Sequence, residues 1–154
     1  MARQSAGILV YRRVDGGCEV LLVHPGGPFW AKKDLGAWSI PKGEFGADED
    51  PFAAGRREFF EETGLSVEGD FVSLGQARQA GGKVVYAWAV EGDVDAAAVR
   101  SNTFRMEWPP GSGRQQEFPE IDRAAWFTPE AAREKIHKGQ AVFIDRLVAQ
   151  LGIV

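Results

Sequence analysis

Three glutamates, Glu58, Glu61 and Glu62, fall within the stretch REFFEETGL, interleaved with phenylalanines and preceded by Arg56 and Arg57. On a helix they stand at i, i+3 and i+4, so their carboxylates project from one side within about one turn. Left bare, they repel one another. A solvated acidic face balanced by the two arginines is one way to carry them. A hard divalent cation, Mg2+ or Mn2+, is another, because it prefers oxygen ligands, binds through one or two carboxylates and completes its shell with substrate phosphate. The repulsion then becomes a binding site.

The elements that must position these groups are legible around them. Asp50 is a good N-cap, Pro51 suits the first helical position and Gly64 is a good C-terminal stop, which predicts a helix over PFAAGRREFFEET. Phe52, Phe59 and Phe60 supply its apolar face, and Gly55 costs about 1 kcal/mol relative to alanine. Upstream, residues 5–13 and 19–23 read as antiparallel strands joined by the turn VDGG. Residues 24–41, HPGGPFWAKKDLGAWSIP, read as a long ordered loop carrying aromatics, of the kind that often serves function. Downstream, residues 71–80 and 83–90 form a second hairpin across Gly81 and Gly82. DAAAV reads as a helical turn, WPPGSGRQQ as loop, 124–127 as a last short strand, and two helices follow, one capped by Thr128 and one over 140–151. Hairpins with an internal helix and C-terminal helices predict an α+β fold, a mixed sheet with helices on its faces. No GxGxxG follows the first strand, which argues against a Rossmann fold.

Composition bounds the rest. A chain of 154 residues with 44% hydrophobic residues and five tryptophans predicts one domain over 1–154 with a sizeable core. A formal net charge of -4 argues against a nucleic-acid polymer as partner. Polyanionic ligands must then be met by local basic residues or by bound cations. The lone Cys18 has no partner for an internal disulfide, the start MARQSAGILVYRR has too short an apolar run for a signal peptide, and no stretch is long enough to span a membrane. The expectation is a reducing, cytoplasmic setting.

Upstream of the helix, Gly43 and Glu49 stand at set distances from the glutamates in GEFGADEDPFAAGRREFFEETGL. This segment resembles the Nudix box: glycine, five residues, glutamate, seven residues, then Arg-Glu-apolar-any-Glu-Glu-any-Gly-apolar. Every specified position is filled, by Gly43, Glu49, Arg57, Glu58, Phe59, Glu61, Glu62, Gly64 and Leu65. At frequencies of about 6 to 7% per polar or glycine position, a chance match is on the order of one in ten million. The resemblance implies the Nudix fold, a mixed sheet sandwiched between helices, and hydrolysis of a phosphoanhydride in a nucleoside diphosphate linked to another moiety. It implies Mg2+, or Mn2+, as cofactor. Carried over by position, Glu61 and Glu62 are the principal metal ligands, the Gly43 carbonyl another, and Glu58 a ligand or the general base. Arg57 and Glu49 orient the carboxylates, and an ordinary ion pair of Arg57 with Glu61 is compatible with that role. A further carboxylate from a later loop is supplied by Glu120 or by Glu117.

Specificity lies outside the box. WSIPKGE resembles the corresponding segment of dinucleoside polyphosphate hydrolases, and Lys42 within it can meet a phosphate as a point charge. Phe29 and Trp30 offer stacking surfaces for a base, with Lys32 and Lys33 beside them for phosphates. Arg105, Trp108 and Arg114 flank a Pro-Gly loop that can close over a ligand. The proline and tyrosine markers of the ADP-ribose and diadenosine polyphosphate branches are missing near Gly81 and Gly82, and Tyr86 reads as cross-strand packing. The leading expectation is cleavage of a small nucleotide, a dinucleoside polyphosphate such as diadenosine tetraphosphate, by a monomer or homodimer. The alternatives are a sanitising pyrophosphohydrolase for oxidised nucleoside triphosphates and a non-catalytic nucleotide-binding regulator. A small complement of basic residues disfavours an inositol pyrophosphate.

Overall fold

The computed structural model describes residues 3–152; residues 1–2 and 153–154 of the expected single domain lie outside them. The chain forms strands β1 (Gln4–Val14), β2 (Gly17–Pro25) and β3 (Lys42–Glu44), helix α1 (Pro51–Thr63), and strands β4 (Val72–Arg78) and β5 (Val84–Glu91). Strands β6 (Thr103–Glu107), β7 (Gln115–Pro119) and β8 (Ile121–Phe127) and helices α2 (Pro129–Lys135) and α3 (Ala141–Leu151) complete it. The main sheet runs β4-β5-β1-β2-β8 with β3 added to β1, while β6 and β7 pair separately.

Strand β1 organises this sheet. One edge carries β5 in parallel, from Gln4 opposite Val84 to Tyr11 opposite Glu91. Its other edge is shared between two antiparallel partners: Ser5 to Gly7 face β3, and Tyr11 to Val14 face β2. Two strands leaving one edge at different points must diverge, so the sheet opens between β2 and β3. Apolar residues cover both faces. Leu9, Val20 and Leu22 pack with Trp38, Ile136 and Phe143 on the α2/α3 side, and Ile8, Val10 and Leu21 pack with Phe59 and Val67 on the α1 side. Two-sided burial is why β1 and β2 read as continuous apolar runs without clean alternation.

Helix α1 has the expected ends. The Asp50 carboxylate accepts from the Ala53 N–H at 3.0 Å, and Gly64 adopts the left-handed conformation at φ 72° with its N–H donating to Phe60 O. The expected apolar face needs one correction. Phe59 is 3% exposed but its neighbour Phe60 is 56% exposed, because residues one apart on a helix point about 100° apart. Phe52 instead joins Phe71 and Trp88 in an aromatic cluster, with ring centroids 5.1 and 5.3 Å away.

Two further expectations change. WPPGSGRQQ is not all loop: Gln115 and Gln116 belong to β7, and Phe104 opposite Phe118 and Met106 opposite Gln116 show a regular hairpin. The three-residue β3, too short to carry a pattern, also forms; it lies at the end of the long 24–41 loop. That loop is pinned by Trp38, which is buried, donates its Nε1–H to Asp34 at 2.8 Å and packs edge-on against His24 and Phe127.

Close packing of α1 and β3 on β1 relies on small residues. A Cβ at Gly55 would lie 3.4 Å from the Gly7 nitrogen, in ordinary contact, whereas one at Gly7 would lie 2.5 Å from the Pro41 carbonyl oxygen. Gly55→Ala should therefore be neutral or stabilising by up to about 1 kcal/mol, through helix propensity. Gly7→Ala should destabilise by about 1–3 kcal/mol, through overpacking against backbone. Urea unfolding of the two variants checks this, and equal destabilisation would mean that α1 lies closer to β1 than this packing has it.

Candidate active site

Gly43 in β3 faces Glu58 in α1. A Cβ at position 43 would overlap the Glu58 carboxyl group, so any side chain there must push that carboxylate aside. One residue earlier, the Lys42 backbone N–H donates to Glu62 Oε1 at 2.7 Å. The short strand and the helix are thus locked together at the box carboxylates. The spacing of α1 then brings Glu61 alongside, where its carboxylate accepts from Arg57 Nη1 at 3.1 Å.

Arg57 ties the outer carboxylates. Its Nε and Nη2 reach both oxygens of Glu49 at 2.8 and 3.0 Å, a two-pronged pair joining the 45–50 loop to the helix, and its Nη1 also reaches Glu58 at 2.9 Å. The Glu49 pair holds the arginine firmly charged and keeps the Glu49 carboxyl below its usual range. Glu62 stands apart. Burial pushes its carboxyl up to about 8, against the opposing pull of the Lys42 N–H, and the charges of Glu58 and Glu120 push the same way. Burial also raises Glu58, followed by the charge of Glu61, with Glu120 contributing.

Glu120 is therefore near enough to be felt by both. It sits directly before β8, held by its own N–H to the Asn102 carbonyl at 2.9 Å and by its carbonyl to the Gly26 N–H at 2.8 Å. Glu117 lies on exposed β7 opposite Arg105. Among the described residues, no three histidine, cysteine, aspartate or glutamate side chains converge as a ready-made metal cage. The donor set nonetheless suits a hard cation: it is all oxygen, Glu62 is half-buried with a backbone N–H as its partner, and neighbouring carboxylates raise the proton affinity of Glu58 and of Glu62, which is the repulsion a divalent ion would relieve.

A cleft of about 350 Å³ adjoins these carboxylates, lying where β2 and β3 diverge, with Trp30, Lys42, Glu62 and Glu120 on its walls. Trp30 is 39% exposed, with Lys33 Nζ 5.0 Å over its ring. Phe29 packs edge-on against Trp108 at 5.6 Å, so it joins the loop to the β6–β7 hairpin. Lys32 and Arg114 are exposed and do not line the cleft; Arg114 lies beyond the hairpin tip, where its carbonyl accepts the Trp108 N–H. Four cleft residues carried no sequence signal: Gln79, Lys83, His137 and Gln140. They come from a turn and a 3-10 segment whose spacing follows no motif. A separate apolar recess, bounded by Pro25, Phe29, Trp30, Phe104 and Met106, shares Pro25, Trp30 and Glu120 with the cleft.

The NUDIX domain model matches residues 1–147. No curated protein matches the chain. Among solved structures, the chain is similar to an Ap4A hydrolase of C. elegans in a binary complex, at 20% identity and TM-score 0.66, covering 96% of this chain and 98% of that one. It is also similar to the NUDIX domain of Shewanella oneidensis NrtR complexed with ADP ribose, at 16% identity and TM-score 0.64, covering 98% and 89%. A third is the MutT protein of Methanosarcina mazei Go1, at 23% identity and TM-score 0.61, covering 97% and 95%. At these identities the likeness is one of fold. No helix among the described residues is long and apolar enough to cross a membrane.

The Gly43–Glu58 approach yields a sharp test. In Gly43→Ala the new methyl group must displace the Glu58 carboxylate, so the rise in melting temperature produced by Mn2+ in the parent protein should fall by more than half. An undiminished rise would show that cation binding does not need this approach.

Proposed function

The chain belongs to the NUDIX family as an enzyme of the pyrophosphohydrolase kind, and from that premise we propose that it hydrolyses a phosphoanhydride bond of a dinucleoside polyphosphate, such as diadenosine tetraphosphate. The observation that carries the reading is the joining of β3 to α1, through Gly43 against Glu58 and the Lys42 N–H to Glu62, beside a nucleotide-sized cleft that Glu62 and Glu120 line. A purely binding module has no chemical need for the complete acid set of the box.

Glu61, Glu62 and the Gly43 carbonyl would hold Mg2+ or Mn2+, with Glu120 as the later carboxylate. When bound, the metal neutralises phosphate charge and lowers the pKa of a bound water. The chain's own residues do the rest. Arg57, braced by Glu49, holds the Glu58 and Glu61 carboxylates in place. Glu58 either completes the ligand set or accepts the proton of the attacking water at its carboxylate. Water oxygen bonds to phosphorus as the bridging P–O bond breaks, and the departing phosphate takes the electron pair. Lys42 supplies positive charge to the phosphate chain from the wall of the cleft.

The substrate assignment draws on the recess beside Trp30. Apart from Glu120 its lining is uncharged, and Trp30, Phe104 and Met106 offer flat and soft apolar surface, which suits a planar base better than a second cluster of phosphates. WSIPKGE points to the same branch. The buried thiol of Cys18 suits a reducing, cytoplasmic setting.

Phosphate and nucleotide release should be measured with diadenosine tetraphosphate, ADP-ribose, an oxidised guanine triphosphate and an inositol pyrophosphate, each with Mg2+ and with EDTA. Diadenosine tetraphosphate should be cleaved only with metal. Exclusive cleavage of the oxidised triphosphate would replace the substrate assignment, and binding without cleavage of any compound would overturn the enzymatic one. Glu61→Gln should lower kcat by at least about a hundredfold, through lost transition-state charge stabilisation, with little change in melting temperature. Full activity in that variant would remove the metal from this helix.

A further inference from the structure

The cleft is electrically divided. At one end Glu62 and Glu120 line the wall, and the charge of Glu120 is felt by Glu58 and Glu62. At the other, Lys83 and His137 stand on the rim with Lys42 between the two ends. Among the described residues, neither Lys42 nor Lys83 has a carboxylate within ion-pair distance. In a chain of net charge -4, Lys42 and Lys83 put two positive charges on one cleft beyond its acidic end, where an anion can meet them.

His137 is oriented for the same task. It caps the 3-10 segment Lys138–Gln140, its Nδ1 accepting the Gly139 N–H at 2.9 Å, with Gln79 Nε2 also within 3.3 Å. A ring nitrogen that accepts a backbone N–H carries no hydrogen of its own, so the neutral ring bears its proton on Nε2. Among the described residues Nε2 has no hydrogen-bond partner. Gly139 makes this arrangement possible, since a Cβ there would lie 2.8 Å from Gln79 Cγ. Lys83 is fixed from the other side: it follows the Gly81–Gly82 turn, both glycines at positive φ, and its carbonyl accepts the Gln79 N–H at 2.7 Å. Gln79 thus joins the two donors. Burial lowers the proton affinity of His137, and Lys42 and Lys83 lower it further, which agrees with all three facing one space.

We propose that Lys83 and the Nε2–H of His137 form an anion subsite, positioned by Gln79, that holds a phosphate of the substrate chain beyond the pair flanking the broken bond. The identity of that chain rests on the hydrolase reading above, whereas the anion preference stands on the cleft itself. A chain with its reacting end at the carboxylates and its far phosphates at Lys83 satisfies both poles, so the subsite selects long phosphate chains over a single diphosphate.

The test is binding of tripolyphosphate in EDTA, followed by calorimetry, for the parent protein, Lys83→Gln and His137→Asn. Asparagine can keep the cap on Gly139 while removing the Nε2 donor, which guards against loss of the local fold. Each variant should bind about tenfold more weakly, the size expected for one lost charge-assisted or ion-facing hydrogen bond. In turnover, KM for diadenosine tetraphosphate should rise about tenfold with kcat within about twofold, and KM for diadenosine diphosphate should stay put. Equal tripolyphosphate affinity in parent and variants, or no binding by the parent, would overturn the subsite. Should the parent cleave no dinucleotide yet bind tripolyphosphate in a Lys83- and His137-dependent way, the subsite stands and the substrate reading falls.

Discussion

Strand β3 lies so close to α1 that the Glu58 carboxyl group occupies the volume a side chain at position 43 would need. Much of the site follows from that approach. Glycine in the strand leaves the Glu58 carboxylate in its place, and the strand sits on β1 next to Gly7, where a side chain would meet the Pro41 carbonyl. The approach also requires α1 to lie flat on β1, with Gly55 against Gly7. Glycine at position 7 lets β3 meet β1 at backbone distance, and glycine at position 43 leaves room for the Glu58 carboxylate. The Lys42 N–H then reaches Glu62 across the same junction, so donors from the strand and carboxylates from the helix form one rigid unit.

That unit is electrostatically unbalanced by construction. Arg57 compensates Glu49, Glu58 and Glu61, but the half-buried Glu62 has a backbone dipole for company, and its carboxyl is pushed up to about 8. Burying several acids where they repel one another lowers stability, and a fold keeps such an arrangement where function uses it. A cation at the acidic pole and an anion at Lys83 and His137 are complementary answers to a single imbalance. A metal-bound phosphate chain supplies both charges at once, which is why the two poles of the cleft are best understood together.

How much of this could be read from the sequence depended on how local each determinant is. The ends of α1 are set by Asp50, Pro51 and Gly64, all within or beside the helix, and they were legible. So were the two hairpins with turns at VDGG and Gly81–Gly82, and the reach of Arg57 to Glu49, which the box spacing fixes. β3 was not, because three residues carry no periodicity and the strand exists only because β1 offers it an edge. β6 does alternate, with Phe104 and Met106 on one side, but the Pro-Gly turn beside it masked the hairpin. Gln79 and His137 are 58 residues apart and meet only because α2 and the 3-10 segment fold back beside β4. Lys32 and Arg114 show the converse, since closeness in sequence to aromatics or to a turn did not bring them to the cleft.

The same contrast separates chemistry from specificity. The box draws its residues from β3 and α1, on one side of the gap in the sheet, and its spacing is dictated by one helix and one strand. The opposite wall comes from the 24–41 loop, the β6–β7 hairpin and the start of β8. These are bound to one another by His24, which links Asp122 at 2.8 Å to the Lys33 carbonyl at 2.6 Å, by Gly26, whose N–H meets the Glu120 carbonyl, and by the Gly27 backbone lying under the Phe104 ring. Trp30, Phe104 and Met106 take no part in the helix–strand junction; the wall meets that junction at Pro41 and, through the Asn102 N–H to the Glu61 carbonyl at 3.2 Å, at α1. Trp30, Phe104 and Met106 can therefore be tuned to a ligand independently of Glu58, Glu61 and Glu62, and a motif that specifies the reaction says little about the base that reaches it. Glu120 differs from them: its backbone belongs to the specificity wall and its charge to the acidic pole, so a shift of that wall also alters the field at Glu58 and Glu62. The fit of a ligand in the recess is thereby coupled to the carboxylates through the charge of Glu120 and through Asn102, which accepts the Glu120 N–H and donates its own N–H to the Glu61 carbonyl.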